Sequence, residues 1–472
     1  MDGLEAVEIK YSDLQKLKTM RIDNEYFSKC YIENEALLQK FGYRSIGKIV
    51  GTITDFGAYS QTNFIELQEQ GVNFFRNQDV KNNTIDNSGC AKISNEVYNK
   101  LTLKLQMNDI LIPRTGTLGN ACVISENHLP ASANQNLAVL RDIQTMLPHY
   151  VAVVLCSKVG LLQINRNSTG NVQQWLNLDA IKGIKIPTAT EKFQKEIQAI
   201  IKNSEKLLDE SKNIYNCAEQ LLTDYLKFIV KKKTWKNSSV KMFGDSFNIT
   251  GRLDAEYYHP KYDALFDLLS KHTTAPLGGT QGLVSIKKSI EPGSEAYLEE
   301  GIPFIRVCDV DKHEISTPPI MLSNDIVPNI EDLYPKKDTI LLSKDGSIGI
   351  AYKLEKDMKV VTSGALLHLT VKDSNVVIPD YLTLVLNSPI VQLQAERDCN
   401  GAVIQHWKPS DIEKVLIPIL DTSVQQEIAS KVQESFRLRA ESKRLLDLAV
   451  RTVEMAIETN EEEALLWMET QK

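Results

Sequence analysis

The sequence predicts an α+β fold in which one α/β unit occurs twice, each copy followed by a long helix, and in which the two helices pack as a coiled coil. Blocks of sequence recur at a distance of about 230 residues, which is the mark of an internal repeat. In the first part of each copy, short apolar runs bounded by glycine, asparagine and proline predict strands. The second part of each copy, about 40 residues long, contains no glycine or proline and has a helical apolar spacing.

The repeat extends over most of the chain. Residues 21–27, Arg-Ile-Asp-Asn-Glu-Tyr-Phe, return 231 positions later as residues 252–258, Arg-Leu-Asp-Ala-Glu-Tyr-Tyr. Further blocks return in the same order, and the pairs are 71–80 with 301–310, 109–119 with 338–349, 148–150 with 379–381, 170–174 with 401–405, and 186–197 with 417–428. A shared order of this kind predicts two copies of one unit, related by a pseudo-twofold axis once the helices pair.

The repeat also sets the predicted domain boundaries. They are a first α/β domain at 1–190, a first long helix at 191–239, a second α/β domain at 240–421 and a second long helix at 422–472. Strands are predicted where apolar runs end at turn residues, at 109–112, 137–140, 304–307, 339–342 and 365–370. Shorter helices are predicted after Pro148 and Pro379, because proline favours the first turn of a helix.

The two long helices carry apolar residues at alternating spacings of four and three, as the seam of a coiled coil does. Serine falls at equivalent seam positions in both copies, at 204 and 211 and at 435 and 442. Each helix would be roughly 60 Å long, and so long an amphipathic helix needs a partner for its apolar stripe. Two helices that lie separately on their own domains are the alternative. The predicted seam and partner-docking residues are Ile197, Ile201, Leu208, Leu222, Ile428, Val432, Leu446 and Val453.

Composition excludes several classes of protein. Hydrophobic residues make up 42% and charged residues 24% of the chain, which is ordinary for a globular protein and excludes a disordered or collagen-like one. The seven cysteines are scattered, without a Cys-x-x-Cys pair, so neither a disulfide framework nor a zinc site is predicted. No apolar run is long enough to span a membrane and the first residues are acidic, unlike a signal peptide, so a cytoplasmic location is expected.

Motifs of common catalytic sites are not found in the sequence. Residues 42–48 match the start of a phosphate-binding loop, but Ile49 replaces the hydroxyl residue that would hold magnesium. No strand leads into a Gly-x-Gly-x-x-Gly turn, and no Asn-Pro-Pro-Tyr or Asp-Pro-Pro-Tyr tetrapeptide of amino-methyltransferases is present. The seven histidines show no metal-ligand spacing. The sequence therefore predicts a binding protein without a cofactor or metal of its own.

Small polar loops after the strands are the candidate binding sites. In both copies a long cation stands beside glycine at the end of an apolar strand, where backbone N–H groups and the cation could approach phosphate or a base edge. A hairpin turn with a solvated cation is the alternative. Amide side chains in neighbouring loops could bind adenine edges. The predicted DNA-binding residues are Arg76, Arg114, Thr115, Gly116, Thr117, Asn134, Gln135, Asn136, Gln173, Gln174, Arg306, Lys344, Asp345, Gly346, Ser347, Gln405 and His406.

Taken in order, the repeated loops, the Gly-x-Val-x-Gln block, the Ile-Pro step and the long helix that follows resemble the specificity (S) subunits of Type I restriction–modification systems. The opening motif of each copy is also similar to Type II relatives of that family. The resemblance implies two target recognition domains held apart by two antiparallel helices, with no catalytic centre in the chain. Asp345 departs from a simple phosphate clamp, because a carboxylate beside Lys344 opposes phosphate.

The resemblance also implies partners and a mechanism. Each recognition domain would read one half of a bipartite, asymmetric site in double-stranded DNA through the major groove. Two methyltransferase subunits would dock on the helices, carry S-adenosylmethionine and flip the target base. Whether two restriction subunits also bind, and whether the system is Type I or Type II-like, is left open. A non-catalytic coiled-coil scaffold and an enzyme with a degenerate active site are the competing interpretations. The net charge of −7 is compatible with DNA binding if the partner subunits neutralise much of the phosphate charge.

Overall fold

The computed structural model describes residues 7–14, 21–57, 65–85, 87, 89–170, 173–228, 238–244, 246–399, 401 and 405–471. Val172 and Val403 of the repeated Gly-x-Val-x-Gln block, and the part of the first predicted long helix from residue 229 to residue 237, lie outside these residues. The chain divides into two units: unit 1 comprises residues 1–208 and 440–472, and unit 2 comprises residues 209–439.

Helices and strands alternate along both units, as a mixed α/β fold requires. The helices of the described residues are α1 Tyr11–Leu14, α2 Lys29–Phe41, α3 Ile46–Ile49, α4 Asn95–Lys100, α5 Pro148–Cys156, α6 Lys158–Asn167, α7 Leu178–Gly183, α8 Glu191–Tyr225, α9 Phe247–Thr250, α10 Pro260–Leu269, α11 Pro379–Asn387, α12 Pro389–Asp398, α13 Pro409–Ile412, α14 Thr422–Glu458 and α15 Glu461–Gln471. The strands are β1 Tyr43–Ser45, β2 Val50–Thr54, β3 Val72–Phe75, β4 Val80–Lys81, β5 Thr84–Ile85, β6 Ala91–Ile93, β7 Ile110–Pro113, β8 Cys122–Val123, β9 Ala131–Ala133, β10 Leu137–Ile143, β11 Lys185–Pro187, β12 Thr274–Pro276, β13 Val284–Lys288, β14 Tyr297–Leu298, β15 Ile302–Ile305, β16 Met321–Leu322, β17 Ile340–Ser343, β18 Ala351–Lys353, β19 Val361–Thr362, β20 Leu366–Val371 and β21 Leu416–Pro418.

Unit 1 is built on an antiparallel four-stranded sheet of order β2-β10-β7-β8. Both faces of its central strands are covered, which explains why their sequences are continuously apolar rather than alternating. Alternate residues of β7 and β10 enter two different cores: Ile110, Ile112, Ala138 and Leu140 lie in one, and Leu111, Leu137 and Val139 lie in the other. The second core also contains the sheet β6-β3-β9, in which β3 runs parallel to β9.

Unit 2 has the same kind of framework. Its four-stranded sheet has the order β13-β20-β17-β18, and a second sheet has the order β14-β16-β15-β19, with β15 parallel to β19. Corresponding tyrosines tie the first helix after the main sheet to the Ile-Pro strand in each unit: the Tyr150 hydroxyl donates to the Pro187 carbonyl at 3.0 Å, and the Tyr381 hydroxyl donates to the Pro418 carbonyl at 2.8 Å.

The long helices contribute to the core of each unit. In unit 1, Ile197 and Ile201 of α8 lie in one buried cluster with Leu446 and Val453 of α14. In unit 2, Leu222 of α8 and residues of the first half of α14 lie in the cluster that also contains the main sheet. Each unit therefore contains one part of both helices in its own core.

Two pairs of buried serines join the long helices. In unit 1 the Ser204 hydroxyl donates to the Ser442 carbonyl at 2.9 Å, and the Ser442 hydroxyl donates back to the Ser204 carbonyl at 2.9 Å. In unit 2, Ser211 and Ser435 make the same reciprocal pair at 2.7 and 2.8 Å. Such contacts need closely spaced backbones, which explains why the seam has serine rather than leucine at these positions.

The second glycine- and proline-free stretch forms two helices instead of the single helix predicted at 422–472. Helix α14 ends at Glu458 and α15 begins at Glu461. The Asn460 side chain accepts a hydrogen bond from the Glu463 backbone at 3.0 Å, which is the interaction that starts a new helix. Ala464 and Met468 of α15 are buried in the core of unit 1, so tertiary packing stabilises the break.

Within the part of the chain that the structure describes, no helix is both long and apolar enough to cross a membrane. In the same residues no group of histidine, cysteine and acidic side chains is arranged to hold a metal ion.

Buried histidine makes unit 1 sensitive to acid. His149 is 4% exposed, and burial, assisted by nearby Lys202, lowers its pKa from 6.5 to about 4. The unfolded chain takes up this proton near pH 6.5, so the stability contributed by neutral His149 is complete above that pH and is lost as the pH falls toward 4. From about pH 7 to about pH 5 we expect a loss of about 2 kcal/mol from this group. Urea unfolding of the wild-type chain and the His149→Gln variant at both pH values measures this loss. If the two proteins lose the same stability, His149 does not titrate as described.

Candidate nucleic-acid interface

The first predicted residue of each copy begins a tight turn directly after a buried strand. In unit 1 the Arg76 backbone N–H donates to the Asp79 carboxylate at 2.8 Å, and the Asp79 N–H donates to the Arg76 carbonyl at 2.9 Å. In unit 2 Arg306 and Asp309 make the same two bonds at 2.8 and 3.0 Å. Each aspartate is buried, so this reciprocal pair fixes the turn.

Arg114 follows strand β7 and is 9% exposed. Its guanidinium forms an ion pair with Asp55, donates to the Leu176 carbonyl at 3.2 Å and lies 4.4 Å from the ring centre of Trp175. The cation is therefore neutralised inside the fold and braces the loop that follows it.

That loop is joined to the first turn through Asn77. The Asn77 amide donates to the Thr115 carbonyl at 3.2 Å, and the Thr117 hydroxyl donates to the Asn77 carbonyl at 2.9 Å. Gly116 between them has φ +77°, and a Cβ there would lie 2.8 Å from the Asn77 amide nitrogen. Glycine is thus required by both backbone conformation and space. Gly116 and Thr117 are exposed, whereas Thr115 is buried.

The loop of Asn134, Gln135 and Asn136 packs beside both of these turns. The Asn134 N–H donates to the Phe75 carbonyl at 2.9 Å, and the Arg114 N–H donates to the Asn136 carbonyl at 2.8 Å. The Asn134 side chain accepts the Asn136 N–H at 3.1 Å, so it is used to shape its own loop. All three residues are half-buried.

Gln173 and Gln174 lie on the loop that closes this region, and both are exposed. Thr169 and Trp175 exchange backbone hydrogen bonds of 2.9 and 2.7 Å across the loop, and the Leu176 N–H donates to the Arg114 carbonyl at 2.8 Å. The structure therefore brings the predicted residues of the first copy together on one side of unit 1. We call this surface face 1: Arg76, Asn77, Gln78, Arg114–Thr117, Asn134–Asn136, Gln173 and Gln174.

The second copy builds a corresponding surface in unit 2. The Lys344 N–H donates to the Ala365 carbonyl at 2.9 Å, the Gly346 N–H to the Gln405 carbonyl at 3.0 Å, and the Ser363 N–H to the Ile305 carbonyl at 2.8 Å. We call this surface face 2: Arg306, Val307, Cys308, Lys344–Ser347, Ser363–Ala365, Gln405 and His406. Gly346, Ser347, Gln405 and His406 are exposed.

The cation of face 2 is paired within its own loop. Lys344 hydrogen-bonds to Asp345, and His406 contacts the other oxygen of the same carboxylate at 2.8 Å. Burial alone would raise the pKa of Asp345, but the hydrogen bonds from Lys344 and His406 outweigh it and lower that pKa below its ordinary value. In both faces the cation is thus paired with a carboxylate: Arg114 with Asp55 in face 1, and Lys344 with Asp345 in face 2.

The hydrogen bonds also show which residues of the two copies correspond in this loop. The bonds that Asn134-Gln135-Asn136 makes to the neighbouring turns of unit 1 are made in unit 2 by Ser363-Gly364-Ala365. Asp55 and Asn77 brace face 1 although no sequence pattern singled them out. The position of Asn77 inside a repeated block, between Arg76 and Asp79, was the signal in the sequence that could have identified it.

The predicted seam and docking residues lie inward. All except Leu208, which is half-buried, are buried in the cores of their own units: Ile197, Ile201, Leu446 and Val453 in unit 1, and Leu222, Ile428 and Val432 in unit 2. A side chain without exposed surface cannot contact a partner directly. These side chains therefore pack within their units, and docking of a partner on the helices that carry them stays a prediction.

Comparison with known proteins places this arrangement in a family. The family model of the Type I restriction modification DNA specificity domain matches residues 44–220 and 282–446. The Type I restriction enzyme EcoBI specificity subunit of Escherichia coli is 23% identical over 148 residues, which is 31% of this chain and 31% of that relative. This chain thus spans less than a third of the relative's length in that match.

Solved structures give weaker likenesses. The Type I restriction–modification S subunit from M. genitalium aligns over 88% of this chain and 94% of its own, with 14% identity and a TM-score of 0.39. The HsdS subunit from Thermoanaerobacter tengcongensis aligns over 89% and 97%, with 12% identity and a TM-score of 0.29. The family model matches more than half of the chain, in two copies that fall on the two halves of the sequence repeat. The chain belongs to the family of the Type I restriction modification DNA specificity domain.

Proposed function

We propose that this chain is the DNA-specificity subunit of a Type I restriction–modification complex and reads a bipartite, asymmetric target. The observation that carries the proposal is that faces 1 and 2 have the same framework of turns but expose different side chains. Two DNA-binding faces that share one framework but expose different side chains suit a target with two unequal halves.

The exposed groups suit base edges in the major groove. Face 1 presents the amides of Gln173 and Gln174 and the hydroxyl oxygen of Thr117, whose proton is donated to Asn77. Face 2 presents Gln405, Ser347 and His406, whose Nδ1 contacts Asp345. A glutamine amide can donate to and accept from adenine at once. Because Arg114 and Lys344 are already paired with carboxylates, phosphate neutralisation must come largely from other groups, including partner subunits.

The two long helices would form the antiparallel coiled coil that holds the recognition faces apart. The reciprocal serine pairs support this packing, and so does a contact at one end in unit 1, where Glu461, just after α14, accepts a hydrogen bond from the Thr190 N–H just before α8 at 2.9 Å. The outer sides of α8 and α14 would dock two methyltransferase subunits, and a system that also cleaves would add restriction subunits.

In this proposal the chain is a recognition subunit and the chemistry belongs to its partners. S-adenosylmethionine would be bound by the methyltransferase subunits, which flip the target base into their own pocket. The contribution of this chain is to place that base beside the pocket, since binding energy at the two faces fixes the register of the complex on DNA.

Sequencing of methylated bases in a strain with this gene and in the same strain without it tests the proposal. We expect one class of methylated site to disappear with the gene, and its motif to consist of two different half-sites around an unread spacer. A strain in which the gene is restored is the control and should recover the motif. Unchanged methylation, or a lost motif that is continuous or palindromic, would contradict the proposal.

A further inference from the structure

The turns after β3 and β15 are closed by the same hydrogen bonds but have different residues between their ends. Both follow a strand that pairs in parallel with a neighbour, β3 with β9 and β15 with β19. Both are closed by the reciprocal arginine–aspartate bonds described above. Between these fixed ends lie Asn77 and Gln78 in unit 1 and Val307 and Cys308 in unit 2.

The second inner residue of each turn is the one that is presented to solvent. Gln78 and Cys308 are exposed, whereas the preceding residue is half-buried in both turns. Asn77 is occupied by its bonds to the Arg114 loop. Gln78 and Cys308 therefore stand on rigid turns, at the same position of face 1 and of face 2. Gln78 offers an amide, and Cys308 offers a sulfur whose thiol proton points to the Asp309 carboxylate at 3.5 Å.

Residues that are identical in the two turns and residues that differ between them have different roles. Arg76 and Asp79 recur as Arg306 and Asp309 and make the same contacts, so they maintain the turn. A position that the framework holds in place but that differs between the copies can distinguish two half-sites. Rigid support matters here because a reading side chain must be placed within a fraction of an ångström.

We propose that Gln78 and Cys308 are specificity-determining residues, each of which reads one base pair of its own half-site. This rests on the proposed function, since it requires that faces 1 and 2 contact DNA. The Gln78 amide matches the donor and acceptor pair that adenine presents in the major groove. Cys308 carries a small apolar thiol, which suits contact with the methyl group of thymine.

Exchanging the two residues tests the proposal. The full chain, as wild type or as Gln78→Cys or Cys308→Gln, is expressed in the strain from which the gene was deleted, so that the natural partner subunits are present. Methylated motifs are then determined by sequencing. We expect Gln78→Cys to reduce discrimination at one position of one half-site by about ten- to a hundredfold, because one bidentate base contact is lost. Cys308→Gln should change one position of the other half-site only.

Gln106→Cys is the matched control. Gln106 is also an exposed glutamine of unit 1, but it lies before β7, at the opposite end of that strand from the Arg114 loop. This variant should leave the motif unchanged. If the wild-type chain yields a bipartite motif and both exchanges leave it unaltered, the inference is wrong although the proposed function stands. If the wild-type chain yields no such motif, the proposed function itself fails.

Alkylation provides a second readout for Cys308. In the purified complex of the full chain with its partners, DNA that contains the motif should slow the reaction of iodoacetamide with Cys308 at least tenfold, whereas unrelated DNA should not. Cys30 on α2 is also exposed, lies away from the long helices in sequence, and serves as the internal reference. Equal reaction of Cys308 with and without the motif would overturn its assignment.

Discussion

Leu222→Asp should unfold unit 2 while unit 1 keeps its structure. Leu222 is 0% exposed and lies in the core of unit 2 with Leu265, Tyr381 and Trp407. An aspartate there would be a buried charge without a partner, which costs about 3–5 kcal/mol, a large part of the stability of a domain. Hydrogen exchange followed by mass spectrometry measures the two units separately. Protection should be lost in β17 of unit 2 and retained in β7 of unit 1.

Gln220→Asp is the control for this substitution. It introduces the same residue two positions earlier on the same helix, at an exposed site, where only a few tenths of a kcal/mol of helix propensity are lost. Its exchange pattern should match the wild type. If Leu222→Asp also left β17 protected, the packing of α8 against the sheet of unit 2 would be wrong.

Arg114→Ala should abolish discrimination at one half-site without lowering the salt dependence of DNA binding. The substitution leaves Asp55 unpaired and removes the donor to Leu176, which should destabilise the loop by about 2–3 kcal/mol after allowance for the partial exposure of Asp55. Because the guanidinium is already neutralised in the fold, its loss should release no phosphate contact, and the slope of affinity against salt should stay the same.

Arg114→Lys distinguishes this bracing role from direct contact. Lysine keeps the charge but cannot hold Asp55 and the Leu176 carbonyl with the geometry of a guanidinium. We therefore expect Arg114→Lys to behave like Arg114→Ala when the complex is titrated with DNA over a range of salt concentrations. Recovery of full affinity by lysine, with a slope reduced by about one in the alanine variant only, would instead indicate a phosphate contact by Arg114.

The sequence by itself determined the mixed α/β fold, the position of the main strands and the start of the long helices. These features depend on local patterns: apolar runs bounded by turn residues, prolines at Pro148 and Pro379, and long stretches without glycine. It also determined which loops belong together, because the order of the repeated blocks links them. Strands, helix starts and turns can be predicted in this way because the residues that determine them lie close together in the sequence.

Tertiary structure alone decided the roles of individual side chains. In the sequence Arg114 is a free cation, but in the fold it is paired with Asp55, which lies 59 positions away in the chain. The break between α14 and α15 depends on the burial of Ala464 and Met468 in the core of unit 1. Leu222, which was predicted as a seam residue of the long helix, also lies in the core of unit 2. Such outcomes follow from contacts between residues distant in sequence, whose free energies exceed local propensities and leave no periodic signal.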